Sequence, residues 1–176
     1  MTRRINLYGG PGVGKSTLAA RVFAHLKQAG TDIELVQEFV KQYVYAGRRI
    51  AGWDYVHTFA RQFEAEHHLL RGGVQQIVTD SPLLLQCIYA RLHGCPVAES
   101  LVSICQEFDR EYPSVNLFVQ RQTRFTTKGR WEDEQEAARI DAVVETTLKH
   151  LDIEYHTIDS LDPKVIDRWL TLLERL

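Results

Sequence analysis

The sequence predicts an α/β protein in which a five-stranded parallel sheet carries helices on both faces, with a short basic lid. Two observations predict this fold class. Short apolar segments alternate with longer amphipathic segments along the 176 residues, which is typical of parallel strands joined by crossover helices. The 44% apolar and 25% charged contents are ordinary for a globular chain. The length suits one domain, which we expect to span residues 1–176.

A glycine-rich turn separates the first predicted strand from the first predicted helix. The strand is the short apolar segment INLYG, and the helix covers residues 16–29 and stops at Gly30. The spacing G-x-x-x-x-G-K-S between them is met by four residues: Gly9, Gly14, Lys15 and Ser16. Glycines in such a turn let backbone N–H groups face inward around phosphate oxygens, in conformations that a Cβ would block. The segment is therefore a predicted P-loop.

The P-loop predicts that ATP and Mg²⁺ bind at the start of the first helix. Lys15 would reach the β- and γ-phosphates, and the Ser16 hydroxyl would bind the metal ion. The N-terminus of the helix would face the phosphates and favour their negative charge. We expect the nucleotide to contact seven residues of the loop: Gly10, Gly12, Val13, Gly14, Lys15, Ser16 and Thr17.

The remaining elements follow from hydrophobic periodicity and from the residues that begin and end helices. Four more strands are predicted, at residues 32–40 (running into a loop), 75–80, 115–120 and 153–158. Five more helices are predicted, at residues 54–71, from residue 82 onward, 97–111, 132–151 and 163–176. Ser81 can cap the second of these helices, and Asp162 caps the last. Parallel strands end at one sheet edge, so functional groups should collect there.

The composition argues against several other classes of protein. No apolar run approaches the length of a membrane span, and no signal peptide precedes Gly9. We therefore expect a cytoplasmic protein without a membrane partner, in the host cytoplasm if the protein is viral. The three cysteines lack C-x-x-C spacing and are expected to be reduced core thiols. The seven histidines show no metal-ligand spacing, so we interpret them as surface or core residues.

Three classes of phosphate chemistry compete for this P-loop. A common GTPase would need an N-K-x-D segment to recognise guanine, and neither Asn6 nor Asn116 lies in one. An oligomeric ATPase motor would need a second helical domain, for which we expect the chain to be too short. A small kinase needs a P-loop, an acid that organises Mg²⁺, a base at the acceptor and cations over the transferred phosphate. The sequence has candidates for all four, which favours a kinase over a non-catalytic nucleotide switch.

Two carboxylates are candidates for the metal and for the acceptor hydroxyl. Asp80 ends the buried strand QQIVTD, where it would face the P-loop and hold Mg²⁺ directly or through water. Glu38 follows the strand IELVQ at the same sheet edge. A carboxylate there can accept the proton of an acceptor hydroxyl or orient that hydroxyl. Asp80 is the alternative base.

A basic segment between the fourth strand and the next helix predicts a lid over residues 121–131. Four cations fall within ten residues there: Arg121, Arg124, Lys128 and Arg130. Cations that close over the phosphates would stabilise negative charge in the transition state and exclude water. We expect at least one of these arginines to contact phosphate, with Arg121 and Arg124 as nucleotide-binding candidates.

The segment from Glu38 to Gln62 is the candidate acceptor region. It mixes aromatic side chains with cations: Phe39, Tyr43, Tyr45, Trp53, Tyr55 and Phe59, with Lys41, Arg48, Arg49 and Arg61. Aromatic faces stack on nucleobases, and cations meet phosphates. About half of these residues are expected to be ordinary core or surface residues instead.

Four segments together resemble a compact family of P-loop kinases found in bacteriophages: INLYGGPGVGKST, ELVQEFVKQYVYAGR, VTDSPLLLQCIYA and KGRWEDEQEAARID. The resemblance spans nearly the whole chain and extends, more distantly, to nicotinamide riboside kinases and the thymidylate kinase group. Some phage members look like kinases that phosphorylate 5-hydroxymethyl-deoxyuridine in DNA, a step toward hypermodified thymidines. The resemblance implies roles for five residues: Lys15 and Ser16 on nucleotide and metal, Asp80 as the Walker-B-like acid, Glu38 near the acceptor, and Arg130 as a catalytic lid cation.

The acceptor is predicted less directly than the phosphate donor. Thymidylate kinases follow the strand acid with an arginine, whereas Ser81 and Pro82 follow Asp80 here, which disfavours a nucleoside monophosphate. Residues 1–131 carry 16 Lys+Arg against 11 Asp+Glu, a balance of +5, and residues 132–176 carry 5 against 12, a balance of −7. The residues alone leave DNA and a small nucleoside or nucleotide equally open. The resemblance favours 5-hydroxymethyluracil in DNA.

Overall fold

A computed structural model describes residues 3–122, 131–159 and 162–175 of the chain. Within these residues the strands are β1 (Arg4–Tyr8), β2 (Ile33–Val36), β3 (Gln76–Thr79), β4 (Ser114–Val119) and β5 (His156–Ile158). The helices are α1 (Lys15–Gln28), α2 (Lys41–Tyr45), α3 (Asp54–Arg71), α4 (Leu83–Leu92), α5 (Ala98–Glu111), α6 (Glu134–His150) and α7 (Pro163–Leu173). All strand pairs are parallel, in the order β2-β3-β1-β4-β5. The predicted α/β fold class is confirmed.

Helices cover both faces of the sheet because successive strand side chains point to opposite faces. Leu7 packs in an apolar cluster with α1 and α7, whereas the adjacent Tyr8 packs in a second cluster with residues of α3 to α6. β1 lies at the centre, where Ile5 pairs with Val78 of β3 and with Val115 of β4. The loop after β1 therefore emerges at the middle of the sheet, beside the end of β3.

An ion pair is buried among α3, α5 and β1. Arg4 is 1% exposed and Glu66 is fully buried, and Arg4 Nη1 lies 3.6 Å from Glu66 Oε2. Arg4 also pairs with Asp109, and its Nε donates to the carbonyl oxygen of Tyr112 at 2.9 Å. Burial raises the pKa of Glu66 to about 7, and the charge of Arg4 opposes that rise.

We expect this carboxyl group to make folding stability depend on pH. The pKa of Glu66 is higher in the folded protein than its ordinary value of 4.5, so the folded state binds the proton more tightly. The contribution of Glu66 to the free energy of unfolding should be largest below about pH 4.5 and should fall by on the order of 3 kcal/mol as pH rises to about 7. Urea denaturation of E66Q should lack this decline. The exposed E64Q on the same helix should keep it, and an unchanged slope in E66Q would contradict the assignment.

Several element boundaries differ from the predicted ones. β2 ends at Val36, and part of the predicted loop after it forms the short helix α2. β5 has three residues instead of six. The predicted Ser81 cap is wrong: α4 starts at Leu83 after Pro82, without a side-chain cap among the described residues, and Ser81 Oγ instead accepts a bond from Gln86 Nε2 at 2.7 Å. The Asp162 cap is confirmed, since its carboxylate accepts from the backbone N–H of Lys164.

The remaining general predictions concern thiols, metals and membranes. Cys87, Cys95 and Cys105 are buried and free, as expected. Among the described residues, no group of three or more His, Cys, Asp or Glu side chains could hold a metal ion. In the part of the chain that the structure describes, no helix is long and apolar enough to cross a membrane.

Candidate functional site

The candidate active site is a cleft at the carboxyl edge of the central strands. The P-loop joins β1 to α1, Asp80 directly follows β3, and Glu38 lies between β2 and α2. The cleft has a volume of about 260 Å³. Seven of its lining residues are the predicted nucleotide, metal and base residues: Gly12, Gly14, Lys15, Ser16, Thr17, Glu38 and Asp80. The fold thus brings the candidate phosphate, metal and base residues to one place.

The P-loop presents the N-terminus of α1 to this cleft. Gly12 and Gly14 have φ angles of +86° and +96°, a left-handed conformation that favours glycine. Gly14 is the N-cap of α1, and among the described residues no side chain caps that end. The first turn of α1 also contains no acidic residue. Its first N–H groups are therefore available to an anion, as at other phosphate-binding helix termini. The side chain of Val13 instead packs in the apolar cluster beneath the loop.

Lys15 lies folded back on the P-loop. Its Nζ donates to the carbonyl oxygens of Gly9 and Gly10, both at 2.7 Å. Burial lowers the pKa of Lys15, and the carboxylates of Glu38 and Asp80 oppose that shift. Lys15 Nζ is therefore bound to the P-loop carbonyls and interacts electrostatically with the two candidate catalytic carboxylates.

Glu38 and Asp80 are joined by a direct hydrogen bond. The backbone N–H of Glu38 donates to Asp80 Oδ1 at 2.9 Å, and Asp80 is only 5% exposed. Burial raises the pKa of Glu38 above its ordinary value, Lys15 opposes the rise, and Asp80 adds to it. A carboxylate with a raised pKa binds a proton more readily, which suits a general base. The bond also fixes the position of the loop that carries Glu38.

The donor set at the P-loop fits Mg²⁺ that arrives with a nucleotide. The Ser16 hydroxyl and the Asp80 carboxylate line the same cleft, and both are hard oxygen donors. They are too few to hold the ion alone. Mg²⁺ usually keeps several waters and binds through one or two protein oxygens plus substrate phosphates. The site therefore fits a metal whose other ligands are phosphate and water oxygens.

Aromatic and apolar side chains form the other end of the cleft. Of the predicted acceptor residues, Lys41, Tyr45 and Tyr55 line it. Eight further lining residues were not predicted individually: Pro11, Val40, Val44, Leu85, Gln86, Tyr89, Trp131 and Glu132. The sequence signal for Gln86 is a polar side chain within the apolar run LLLQCIYA, and it is only 2% exposed.

Two carboxylates, Glu38 and Glu132, line the same cleft as two tyrosines, Tyr55 and Tyr89. Burial raises the pKa of Tyr55 and of Tyr89, and in both cases Glu132 and then Glu38 add to the rise. A negative charge raises a phenol pKa only over a short range. Glu132 therefore shares the acceptor end of the cleft with Glu38, although the sequence placed it only as the start of a helix.

The other predicted acceptor residues do not line the cleft of the described structure. Phe59 is 4% exposed and belongs to the core. Phe39 packs edge to face against Tyr43. Arg61 lies over the ring of Phe39, and Arg48 lies over the ring of Tyr43. Of these residues outside the cleft, Trp53, Arg48, Arg49 and Arg61 are exposed.

A family model described as an AAA domain matches residues 4–164, which is most of the chain. The chain belongs to this AAA domain family. No curated protein matches the chain.

Two solved structures of NadR share the fold of this AAA domain. A NadR protein in complex with NR has a TM-score of 0.75 and 16% sequence identity, covering 99% of this chain and 51% of that chain. A NadR protein in complex with NAD and AMP-PNP also has a TM-score of 0.75, with 14% identity, covering 99% of this chain and 49% of that chain. This chain therefore spans about half the length of those NadR chains. At these identities the likeness establishes the P-loop α/β fold.

Two residues of the AAA domain that were predicted to contact the nucleotide, Gly10 and Arg121, make hydrogen bonds within the protein instead. The N–H of Gly10 donates to Asp141 Oδ1 at 2.6 Å, so it does not face the cleft. Arg121 pairs with the same aspartate and donates to the carbonyl oxygen of Pro11 at 2.9 Å. Both residues are held against α6, and Asp141 was not among the predicted site residues. Arg124, Lys128 and Arg130, with most of the predicted lid, lie outside the described residues.

Proposed function

We propose that this protein is an ATP-dependent kinase that transfers the γ-phosphate to a hydroxyl group of a nucleoside-type acceptor. The observation that carries the proposal is the hydrogen-bonded pair Glu38–Asp80, which faces Lys15 and Ser16 of the P-loop across one cleft. A metal-organising acid, a base and a phosphate-binding loop are the parts that phosphoryl transfer to an alcohol needs. The NadR complex with AMP-PNP supports an adenine nucleotide as the donor.

Each residue has a distinct task in this proposal. Lys15 and the N-terminus of α1 stabilise negative charge on the phosphates. Ser16 and Asp80 hold Mg²⁺, which when bound neutralises phosphate charge and orients the phosphoryl group. Glu38 accepts the proton of the acceptor hydroxyl as that oxygen attacks phosphorus.

The acceptor end supports a nucleoside more than a nucleotide. Tyr55, Tyr89 and Trp131 offer aromatic faces to a planar ring, and Gln86 offers an amide to its edge. A phosphate group on the acceptor would need cations, and the described lining residues beside the aromatic ones include Lys41 together with two carboxylates, Glu38 and Glu132. The NadR complex with NR provides an example of a small ligand on the same fold.

A second candidate acceptor is a hydroxymethyl pyrimidine within DNA. The phage-kinase resemblance favours it, and so does the surface that borders the cleft between α2 and α3. Tyr45 and Trp53 are 68% and 66% exposed there, and Arg48 and Arg49 are exposed between them. Exposed aromatic and cationic side chains at the mouth of a cleft suit a single-stranded nucleic acid.

An acceptor screen with γ-labelled ATP tests the function and separates the two acceptors. The acceptors are free nucleosides including 5-hydroxymethyl-deoxyuridine, their 5′-monophosphates, and DNA with and without 5-hydroxymethyluracil. Label in free nucleosides supports the nucleoside kinase. Label confined to modified DNA, lost steeply with added salt, supports the DNA acceptor. Slow ATP turnover that no acceptor accelerates would overturn the kinase proposal in favour of a nucleotide switch.

Paired arginine variants sharpen the DNA test. R48A/R49A should weaken labelling of modified DNA and reduce its salt dependence while leaving a free nucleoside acceptor unaffected. R91A/R110A removes the same charge from exposed arginines on α4 and α5 and should change neither. Equal effects of the two double variants would argue against the surface between α2 and α3.

Glu38→Gln should lower kcat by about two decades with little change in ATP affinity. Its raised pKa means that the carboxylate form, which is the base, is lost as pH falls through a value above the ordinary 4.5. The pH profile of kcat in the unaltered protein should therefore show an acid limb, and E38Q should lack it. An unchanged rate in E38Q would pass the base role to Asp80.

A further inference from the structure

Asp141, a carboxylate outside the cleft, binds the P-loop from the side of α6. Asp141 lies on α6, and its Oδ1 accepts the N–H of Gly10 at 2.6 Å. Its other oxygen, Oδ2, accepts from Nε of Arg121 in the segment that follows β4. Asp141 and Arg121 are 16% and 17% exposed. Both carboxylate oxygens are thus used, and each one joins α6 to a different loop.

Arg121 also bonds the P-loop directly, through its Nη2. Its Nη2 donates to the carbonyl oxygen of Pro11 in the P-loop at 2.9 Å and to that of Ala137 in α6 at 3.2 Å. The planar guanidinium group thus bonds a carboxylate and two backbone carbonyls at once, as its fixed donors allow. The pair Asp141–Arg121 binds both a donor and an acceptor of the P-loop backbone.

The approach of the P-loop to α6 is close enough to require glycine. A Cβ on Gly10 would lie 2.7 Å from the carbonyl oxygen of Ala137 and 2.7 Å from Asp141 Oδ1. Both distances are well inside van der Waals contact, and one of the atoms belongs to the helix backbone. Any side chain at residue 10 would therefore push the P-loop away from α6.

Asp141 and Lys15 form hydrogen bonds to opposite ends of one peptide group. The peptide that joins Gly9 to Gly10 donates its N–H to Asp141 Oδ1 at 2.6 Å. Its carbonyl oxygen accepts a hydrogen bond from Lys15 Nζ at 2.7 Å. An amide with bonds at both ends is polarised, and each bond strengthens the other. Asp141 also favours the charged form of Lys15, since it opposes the lowering of the Lys15 pKa by burial. The orientation of this peptide therefore depends on α6.

We propose that Asp141 is a positioning residue that holds the first turn of the P-loop in the conformation that binds nucleotide. The proposal rests on the nucleotide-binding role proposed above. Asp141 touches neither phosphate nor acceptor in it. It acts through the Gly10 N–H, which belongs to the peptide whose carbonyl oxygen Lys15 contacts. It also acts through Arg121, which bonds the carbonyl oxygen of Pro11, the next residue of the loop.

Nucleotide affinity, measured apart from catalysis, tests this role. The dissociation constant of AMP-PNP with Mg²⁺ should rise about tenfold in D141A, because a charged hydrogen bond to the P-loop is lost. D141N should show a smaller rise, because the amide oxygen still accepts the Gly10 N–H but lacks the charge that pairs with Arg121. G10A should weaken binding as D141A does. E145Q, which removes a carboxylate one turn later on α6, should bind normally.

The steady-state constants separate positioning from general support. In D141N the KM for ATP should rise, whereas the KM for the acceptor that the screen identifies should stay unchanged. D141N is isosteric and keeps the test open if D141A fails to fold. Folded D141N and G10A that bind AMP-PNP as tightly as the unaltered protein would overturn the proposal, as would an equal rise in both KM values. Because AMP-PNP binding needs no acceptor, this result stands apart from failure of the kinase proposal.

Discussion

Lys15→Ala is expected to abolish phosphoryl transfer while the protein stays folded. The ammonium group lies between the P-loop carbonyls and the carboxylates of Glu38 and Asp80, and its hydrogen bonds go to the loop itself. In the proposed reaction it stabilises charge on the β- and γ-phosphates. Loss of one such electrostatic contact costs about two to three decades in rate.

The measurement is kcat with γ-labelled ATP and the acceptor that the screen identifies, together with the thermal transition of each variant. The thermal midpoint of K15A should stay close to that of the unaltered protein, because Lys15 packs no part of either apolar cluster. K27A is the matched control, since Lys27 is an exposed lysine of the same helix that pairs with Glu34. Near-normal turnover in folded K15A would remove the P-loop from the proposed chemistry.

The residues that the sequence could place are those that directly follow strands. Glu38 and Asp80 each come soon after an apolar strand, and parallel strands end at one edge of the sheet. Their convergence in one cleft therefore follows from strand recognition alone. The P-loop and Lys15 were located by the spacing of the glycines, because the left-handed backbone conformations of this loop favour glycine.

The residues that the sequence could not place come from helices. Whether Gln86 or Tyr89 faces the cleft depends on how α4 rotates against the sheet, and hydrophobic periodicity sets that rotation only approximately. Asp141 lies four residues after the buried Ala137, on the same side of α6. That spacing predicts that Asp141 lies on the packed face of α6. It does not predict which residues Asp141 contacts. Gly10 shows the converse: the motif assigned it to nucleotide, whereas close approach to α6 accounts for it.

Asp80→Asn is expected to lower kcat by about two to three decades, with the loss only partly reversed by added Mg²⁺. The substitution is informative because an asparagine oxygen can still accept the N–H of Glu38, which Asp80 Oδ1 now accepts at 2.9 Å. The loop that carries the base should therefore stay in place, and the change removes mainly the negative charge that holds the metal.

Mg²⁺ titration of kcat separates these two roles of Asp80. In D80N the Mg²⁺ concentration for half-maximal rate should rise, and D80A should lose more rate than D80N at saturating Mg²⁺ because the Glu38 loop also loses its hydrogen bond. D32N is the matched control, since Asp32 accepts a backbone N–H from Gln75 before β3 begins, at the opposite edge of the sheet. A D80N variant with the Mg²⁺ dependence and rate of D32N would show that Asp80 holds no metal. Its bond to Glu38 would then be its whole contribution.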